Sequence, residues 1–529
     1  MGYVEGTNRE QVVLFPAVMD DYISAENPVR FVEAFVNQLE LGALGFSKAE
    51  PEERGRPAYD PRDLLKLYMY GYVNEIRSSR KLERETRRNV ELMWLLRRLT
   101  PDHKTIANFR KDNARALPAV FREFTKVCRQ LDLYGCELVG IDGSKFRAAN
   151  SADRNFTEAK LNKRLQWIEE KIENYLAALQ AEDEAESDES EVNVAQLQAK
   201  IAALQERQLA YEGLKQQLAE NGEKQISLTD ADARLMKGRQ GHHVSYNVQI
   251  AVDSKHKLVA DFAVTNEGND VNCLAELAQG AQQELGVQEL KVCADRGYYN
   301  AAQIKTCEDA GIEVHMERPR PSQTEGIFPL EQFTYDETKD VYICPADKRL
   351  SYRTFDKEKQ VRCYWTEACH SCPMKSQCTT GKGPRKIKRP LGQDAADRML
   401  QRVAENPTVL KLRKQLVEHP FGTIKRPMGQ DYFLMRGKEK VRGETSLTLL
   451  AYNLKRVIKL LGVDKLITVL AKQNLKKSFA NDLFRLFALQ QKLRGAIKQL
   501  WRTKPRSNFL DRRWTDRASI ELLQRLHAC

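Results

Sequence analysis

Asp142 closes the apolar run of "ELVGIDG", and Asp295 closes that of "ELKVCADRG". Short apolar runs of this kind, bounded by turn residues, read as buried strands, so each strand delivers a carboxylate at its end. A third acid, Glu418, stands in "VEHPFGTIKR", behind Val417 and ahead of a Phe-Gly pair and two cations. If the two strands are neighbours in one sheet, their aspartates meet at one edge and Glu418 approaches from a helix. Convergent carboxylates are hard oxygen ligands suited to one or two Mg²⁺ ions, which activate the attacking oxygen and stabilise the leaving oxygen of an in-line phosphoryl transfer. Histidine or cysteine would match Mg²⁺ less well. Taken singly, each acid has a plainer reading. Asp-Gly after a strand is a common turn signal, and a lone glutamate near a helix end is usually solvated.

The elements that must position these acids alternate between strand and helix. Val244, Tyr246, Val248 and Ile250 alternate before the polar turn Asp253 to His256, and Leu258 to Val264 forms the return strand of a hairpin. "CLAELAQGAQQELGV" reads as a helix, "ELKVCADRGYYN" as the strand ending at Asp295, "AAQIKTCEDAG" as a helix closed by Gly311, and "IEVHME" as a further strand. Val409, Leu412, Leu416 and Val417 mark a helix that ends in the Glu418 stretch, and "TSLTLLAYNLKRVIKLL" marks another. The expectation is an α/β fold, an RNase H-like mixed sheet flanked by helices, built from residues 131–317 and 405–463.

Four segments lie outside that core. Residues 1–130 read as all-helical, with Leu64, Leu65, Tyr68, Tyr72 and Ile76 behind the Asp60-Pro61 start signal and Arg77, Arg80, Lys81, Arg84, Arg87 and Arg88 clustered beyond it. Short helices with clustered arginines suit a helix-turn-helix-like DNA-binding region, and suit equally a solvated bundle. Residues 155–225 carry two amphipathic stripes around the acidic break "AEDEAESDES", favouring an antiparallel helical hairpin over an intermolecular coiled coil. Residues 318–404 are Cys-rich. Cys344, Cys369, Cys372 and Cys378 could surround a structural Zn²⁺, with Cys363 left spare, the alternative being unligated thiols. The cations of "KGPRKIKR" follow directly. Residues 464–529 read as a basic helical tail.

With 85 Lys+Arg against 73 Asp+Glu, the formal charge is +12. A polyanionic partner fits that balance, as ribosome or membrane contact also would. The first residues lack an export signal's basic and apolar regions, and no run of about 18 apolar residues occurs. The expectation is a non-exported, cytoplasmic protein with no membrane partner, its 11 cysteines reduced.

The boxes "VGIDGSKFRAANS", "SLTDADARLMK", "YNVQIAVDSKHKLV", "VTNEGNDVNCLAELA", "VCADRGYYNAAQIKTCEDAGI" and "VEHPFGTIKR", in this order, resemble the bacterial insertion-sequence transposases of the DDE class. "RGRPAYDPRDLLKLYMYGY" and "SSRKLERETRRN" are similar to their DNA-binding segment. The resemblance implies that Asp142, Asp295 and Glu418 are the catalytic, metal-holding triad, using two Mg²⁺ ions for which Mn²⁺ can substitute. It implies double-stranded DNA as partner, both the element's terminal inverted repeats and the target, a homodimer on DNA, and a nucleoid-associated enzyme. Some members of the wider class carry a Tyr-x2-Arg-x3-Glu-x6-Lys signature. Lys425 keeps the lysine position, Lys411 stands at the tyrosine and Lys414 at the arginine, with Arg413 one residue out of register. Lys425, Arg413 and Lys414 are thus expected DNA contacts, together with Arg77, Arg80 and Arg84. Asp230 and Asp232 in "SLTDADARLMK" read as turn or cap residues. The alternatives to an active transposase are a silent DNA-binding regulator derived from one, and an RNase H-like nuclease that cuts without joining.

Overall fold

The computed structural model describes residues 18–51, 57–183, 188–238, 241–319 and 326–472. The expected basic tail lies, beyond residue 472, outside the described residues. Among the described residues no helix is long and apolar enough to cross a membrane.

Six helices come first: α1 (Pro28–Asn37), α2 (Pro61–Val73), α3 (Ser79–Thr86), α4 (Val90–Leu95), α5 (His103–Asp112) and α6 (Leu117–Gln130). Asn27, Asp60, Asn89 and Asp102 accept backbone N–H bonds at the starts of α1, α2, α4 and α5, satisfying donors that have no partner within the helix. From Leu64 to Tyr72 every residue of α2 is buried, which makes it the central helix of this region.

The core sheet is assembled from β1 (Leu138–Arg147) and later strands. Between them lie β2 (Asn155–Thr157), α7 (Glu158–Asp183), α8 (Asp188–Asn221) and β3 (Gln225–Ser227). Here α7 and α8 pack on each other, β2 pairs antiparallel with β3 at their base, and Phe156, Leu161 and Leu218 form a small core of their own. The main sheet resumes with β4 (Arg234–Gly238), β5 (Gly241–Asp253) and β6 (Val259–Thr265), then α9 (Leu274–Leu285), β7 (Leu290–Ala294), α10 (Ala301–Asp309) and β8 (Ile312–Met316).

The order across the sheet is β4-β5-β1-β7-β8, with β6 also on β5. β1 is antiparallel to β5 along its whole length, whereas β7 and β8 run parallel to it. β7 meets β1 only from Leu138 to Gly140, so the edge of β1 beyond that point opens a notch at Asp142. Asp142 therefore lies within its strand, not at its end as the apolar run suggested. The pairing with β5 carries β1 on through the polar residues to Arg147.

After β8 the chain forms a separate antiparallel sheet of β9 (Thr334–Asp336), β10 (Val341–Ile343), β11 (Arg349–Asp356) and β12 (Val361–Trp365), completed after α11 (Lys375–Cys378) by β13 (Ile387–Pro390), which pairs with β12. This cysteine-rich segment has an apolar core of its own, built from Phe333, Tyr342, Leu350, Tyr364 and Ile387. The chain then returns as α12 (Gln393–Glu405), α13 (Thr408–Lys425) and α14 (Lys438–Leu461). α12 packs on α10 and β8, α13 crosses β1 and β7, and α14 packs on α2, α6 and β6. Through α14 the N-terminal helices and the sheet share one compact unit.

Candidate active site

Asp142 and Asp295 converge at the notch, Asp142 from the free edge of β1 and Asp295 from the first residue after β7. Each carboxylate has one oxygen fixed by backbone. Gly143 N–H donates to Asp142 Oδ1 at 2.8 Å, and Gly297 N–H donates to Asp295 Oδ1 at 2.9 Å. The other oxygens face a single guanidinium: Arg413 Nη1 is 3.5 Å from Asp142 Oδ2, and its Nη2 is 3.7 Å from Asp295 Oδ2. Burial pushes the Asp142 carboxyl up to about 6 against the pull of Arg413, and the neighbouring charges of Asp295 and Asp270 push in the same direction as burial.

α13 lies on the Asp142 face of β1. Leu416 and Val417 are buried against Gly140, where an added Cβ would stand 3.1 Å from each of them. Phe421 meets the Phe146 ring at 6.1 Å. Glu418, by contrast, is exposed, and among the described residues no hydrogen bond or ion pair joins it to either aspartate. On a helix of 3.6 residues per turn, it sits about 140° around from Arg413 and within about 20° of Lys425. The Lys425 ammonium donates to Ser144 Oγ at 2.6 Å and to the Lys145 carbonyl at 2.7 Å, and lies over the Phe146 ring. Glu418 thus occupies the flank of α13 that reaches β1 two residues from Asp142. Among the described residues no three His, Cys, Asp or Glu side chains stand close enough to hold a metal ion as they are.

The expected DNA contacts divide. Arg80 and Arg84 on α3, and Lys414 on α13, are exposed. Arg77 is a correction. Only 8% exposed, it donates to the Tyr432 carbonyl at 2.7 Å, stacks on the Tyr432 ring and pairs with the fully buried Glu444 at 3.6 Å. Its charge is spent inside the protein. Lys425 is likewise directed onto β1, and Arg413 sits between the acids. In "KGPRKIKR", Arg389 is buried against Asp394 and Asp397 because β13 alternates its side chains in and out, and Arg385, ahead of that strand, donates to the Cys378 carbonyl.

Asp230 and Asp232 are cap residues, but for α14, not for a helix following them in sequence. Asp230 Oδ1 accepts from Gly437 N–H at 3.1 Å and from the Tyr246 hydroxyl at 2.7 Å, and Asp232 Oδ2 accepts from Lys438 N–H at 2.8 Å. Cys344, Cys369, Cys372 and Cys378 line one pocket with Phe328 and Phe333. The charges of the other three help burial to raise the Cys378 thiol.

Sequence reasoning passed over three residues at the notch. Asp270 precedes α9 and marks no strand end. Asn247 and Gln249, on β5, are polar residues on a strand buried on both faces, a signal that was available in "YNVQIAVD". Both amides donate to Asp270 Oδ1, at 2.7 and 2.6 Å.

An antiparallel hairpin joined to parallel crossover strands, with aspartates on two adjacent strands, defines the class of RNase H-like phosphoryl-transfer folds. Residues 17–112 match the model of a transposase domain (DUF772), and residues 343–458 match that of a transposase DDE domain. Both matches are to transposase domains, and they support a DNA transposase of the DDE type, a kind of enzyme that cuts DNA and transfers strands. The DDE match includes Glu418, and Asp142 and Asp295 lie outside it. No curated protein matches the chain. The cryo-EM structure of the piggyBac transposase synaptic complex with hairpin DNA aligns over 92% of this chain and 88% of that one, at 8% identity and a TM-score of 0.31.

Proposed function

We propose that the protein binds the terminal inverted repeats of its own insertion sequence and, with Asp142, Asp295 and Glu418, catalyses divalent-metal-dependent strand cleavage followed by transfer to target DNA. The observation that carries this reading is the pair of aspartates at the notch, each with one oxygen fixed by backbone and the other turned towards one cation. That donor set is chemically right for Mg²⁺ or Mn²⁺, and the Arg413 guanidinium between the acids marks their demand for positive charge. Two bound ions would supply activation of the attacking oxygen and stabilisation of the leaving one.

The chain's own groups do the rest. The notch holds the carboxylates in place before DNA arrives, and Arg413 and Lys414 offer cations to the phosphates beside the scissile bond. Glu418 joins the aspartates when its side chain swings inward from the flank of α13. Arg80 and Arg84 bring the duplex to α3 by backbone contacts. Two ends are cut and joined together, so a homodimer on DNA is the working assembly. Cys344, Cys369, Cys372 and Cys378, which line one pocket, are the residues that would hold a structural Zn²⁺ once drawn together around it.

A joining assay with end-bearing oligonucleotides and Mg²⁺ tests the reading. Asp142→Asn should bind the ends normally and lose at least about 1,000-fold in cleavage, as expected when several kcal/mol of charge stabilisation disappear. Binding without cutting by the wild-type protein would favour a silent regulator, and cutting without strand transfer a nuclease.

A further inference from the structure

The second sheet has one covered face and one open one. Residues paired directly across an antiparallel ladder point to the same side. The register therefore gathers Tyr342, Leu350, Tyr364 and Ile387 on the apolar side. On the other side Ser351 pairs with Trp365, Arg349 lies two residues before Ser351, and Lys388 opposes Cys363, two residues before Trp365. Lys386 joins them just ahead of β13, its ammonium 5.1 Å from the centre of the Trp365 ring. Arg349, Lys386 and Lys388 are exposed, and Trp365 is half-buried. Arg353, the extra residue at the bulge of β11, is also exposed, and its Nε donates to the Trp365 carbonyl at 3.5 Å.

Other cations of this segment are engaged: Arg389 by Asp394 and Asp397, Arg362 by Asp340, and Arg385 by the Cys378 carbonyl. Among the described residues no ion pair engages Arg349, Arg353, Lys386 or Lys388. The acids that share their side, Asp336 and Asp356, end β9 and β11 and are held by their own turns, Asp336 by Thr338 and Lys339 and Asp356 by the Lys359 N–H. A face kept only for solubility intersperses both signs, whereas this one groups four cations around a tryptophan.

The face is also anchored near the notch. Just after β13, a Cβ on Gly392 would stand 2.6 Å from the Ala301 carbonyl, and Gln393 Nε2 donates to the Tyr299 hydroxyl at 3.4 Å. The strand that carries Lys388 thus ends beside the loop that carries Asp295.

We propose that this open face is a second DNA contact, seating the phosphate backbone of the element-end duplex whose scissile bond lies at the notch. It rests on the DNA-binding reading above and extends it, since that reading assigns contacts to α3 and α13. The end duplex is the occupant because the face adjoins the Asp295 loop, where the end is the first DNA to be engaged. Phosphate contacts by Arg349, Lys386 and Lys388 carry no sequence information and set the position of the duplex.

Two measurements on the full chain, without divalent metal so that no strand is cut, test this. Lys386→Ala combined with Lys388→Ala should reduce the magnitude of the log K against log salt slope for the end duplex by about 2, at the wild-type melting temperature. Arg362→Ala, on the other side of the sheet, should leave the slope unchanged. A wild-type slope in the double variant overturns the proposal and spares the DNA-binding reading, whereas a wild-type chain that binds no end duplex overturns that reading itself. The second measurement needs no variant: lysine acetylation of the wild type, read by mass spectrometry. The end duplex should suppress acetylation of Lys386 and Lys388 at a salt concentration that releases a non-end duplex of equal length. Equal reactivity with and without the end duplex overturns the proposal. So does suppression that requires a second, non-end duplex, which would assign the face to target DNA, or suppression that grows with protein concentration in the absence of DNA, which would assign it to a second copy of the chain.

Discussion

Single residues here take their roles from what their second atom touches. Asp142 is tied by Gly143 on one oxygen and faces Arg413 on the other, yet burial dominates and holds its carboxyl near 6, above the value of about 3.9 expected in an unfolded chain. In the metal-free protein the folded state therefore binds that proton more tightly. The stability this contributes is full below about pH 4, declines as pH rises, and is gone above about pH 6. The difference in unfolding free energy between wild type and Asp142→Asn, measured without metal, should accordingly shift against the wild type from pH 4 to pH 6. A difference that stays flat across that window would mean Asp142 is not buried as described. Arg77 and Arg80, three residues apart, separate just as cleanly. Arg77→Ala strands the buried Glu444 carboxylate and should cost about 3 kcal/mol of stability, seen as a clearly lowered urea midpoint. Arg80→Ala should stay within about 0.5 kcal/mol of wild type and weaken only DNA binding.

At the level of elements, the legible parts were those whose pattern is local. The Asp295 strand, the β5–β6 hairpin, α9, α10 and α13 follow from apolar period and caps, and the likeness of the boxes ordered them. Three things were not legible, each because it depends on pairing partners distant in sequence. β1 runs five residues past Asp142 because β5 pairs with all of it. Arg77 turns inward because α14 brings Glu444 to it, and Asp270 reaches the notch because β5 supplies its amides. His419, with no role readable in sequence, ties α13 to α14: its Nδ1 stands 2.9 Å from the Tyr452 hydroxyl, which itself donates to the Lys257 carbonyl, and Arg456 approaches its Nε2 at 3.3 Å. Two glycines test the helix geometry. In α14, a Cβ on Gly443 would meet the Ala114 carbonyl at 2.5 Å, so Gly443→Ala should force α14 away from the end of α5 and cost about 1–3 kcal/mol. In α13, Gly422 has nothing within 4 Å of that position, so Gly422→Ala should stabilise by up to about 1 kcal/mol through helix propensity alone. A loss at Gly422 would mean that α13 does not continue as a regular helix past Pro420.

For the molecule as a whole, α14 makes the N-terminal helices and the sheet a single body, so a duplex held by α3, as proposed, would have a fixed bearing on the notch. The net charge of +12 supplies attraction, but burial divides the cations into those that hold the fold and those that face solvent. Arg77 and Arg389 belong to the first group by their ion pairs, Arg80, Lys81, Arg84 and Lys414 to the second by exposure, and Arg413 stands between the two site aspartates. Only exposed cations release counterions when they neutralise phosphate, so binding of end-bearing DNA should fall about 1,000-fold or more between 50 and 200 mM salt if about six such contacts form. Replacing Arg80 and Arg84 together by alanine should reduce the magnitude of the log K against log salt slope by about 2, and Lys414→Ala by about 1. Arg77→Met should leave the slope unchanged in whatever fraction remains folded. Fluorescence anisotropy across a salt series reads all of these, and a slope that drops with Arg77 but not with Arg80 and Arg84 would place the duplex elsewhere than on α3.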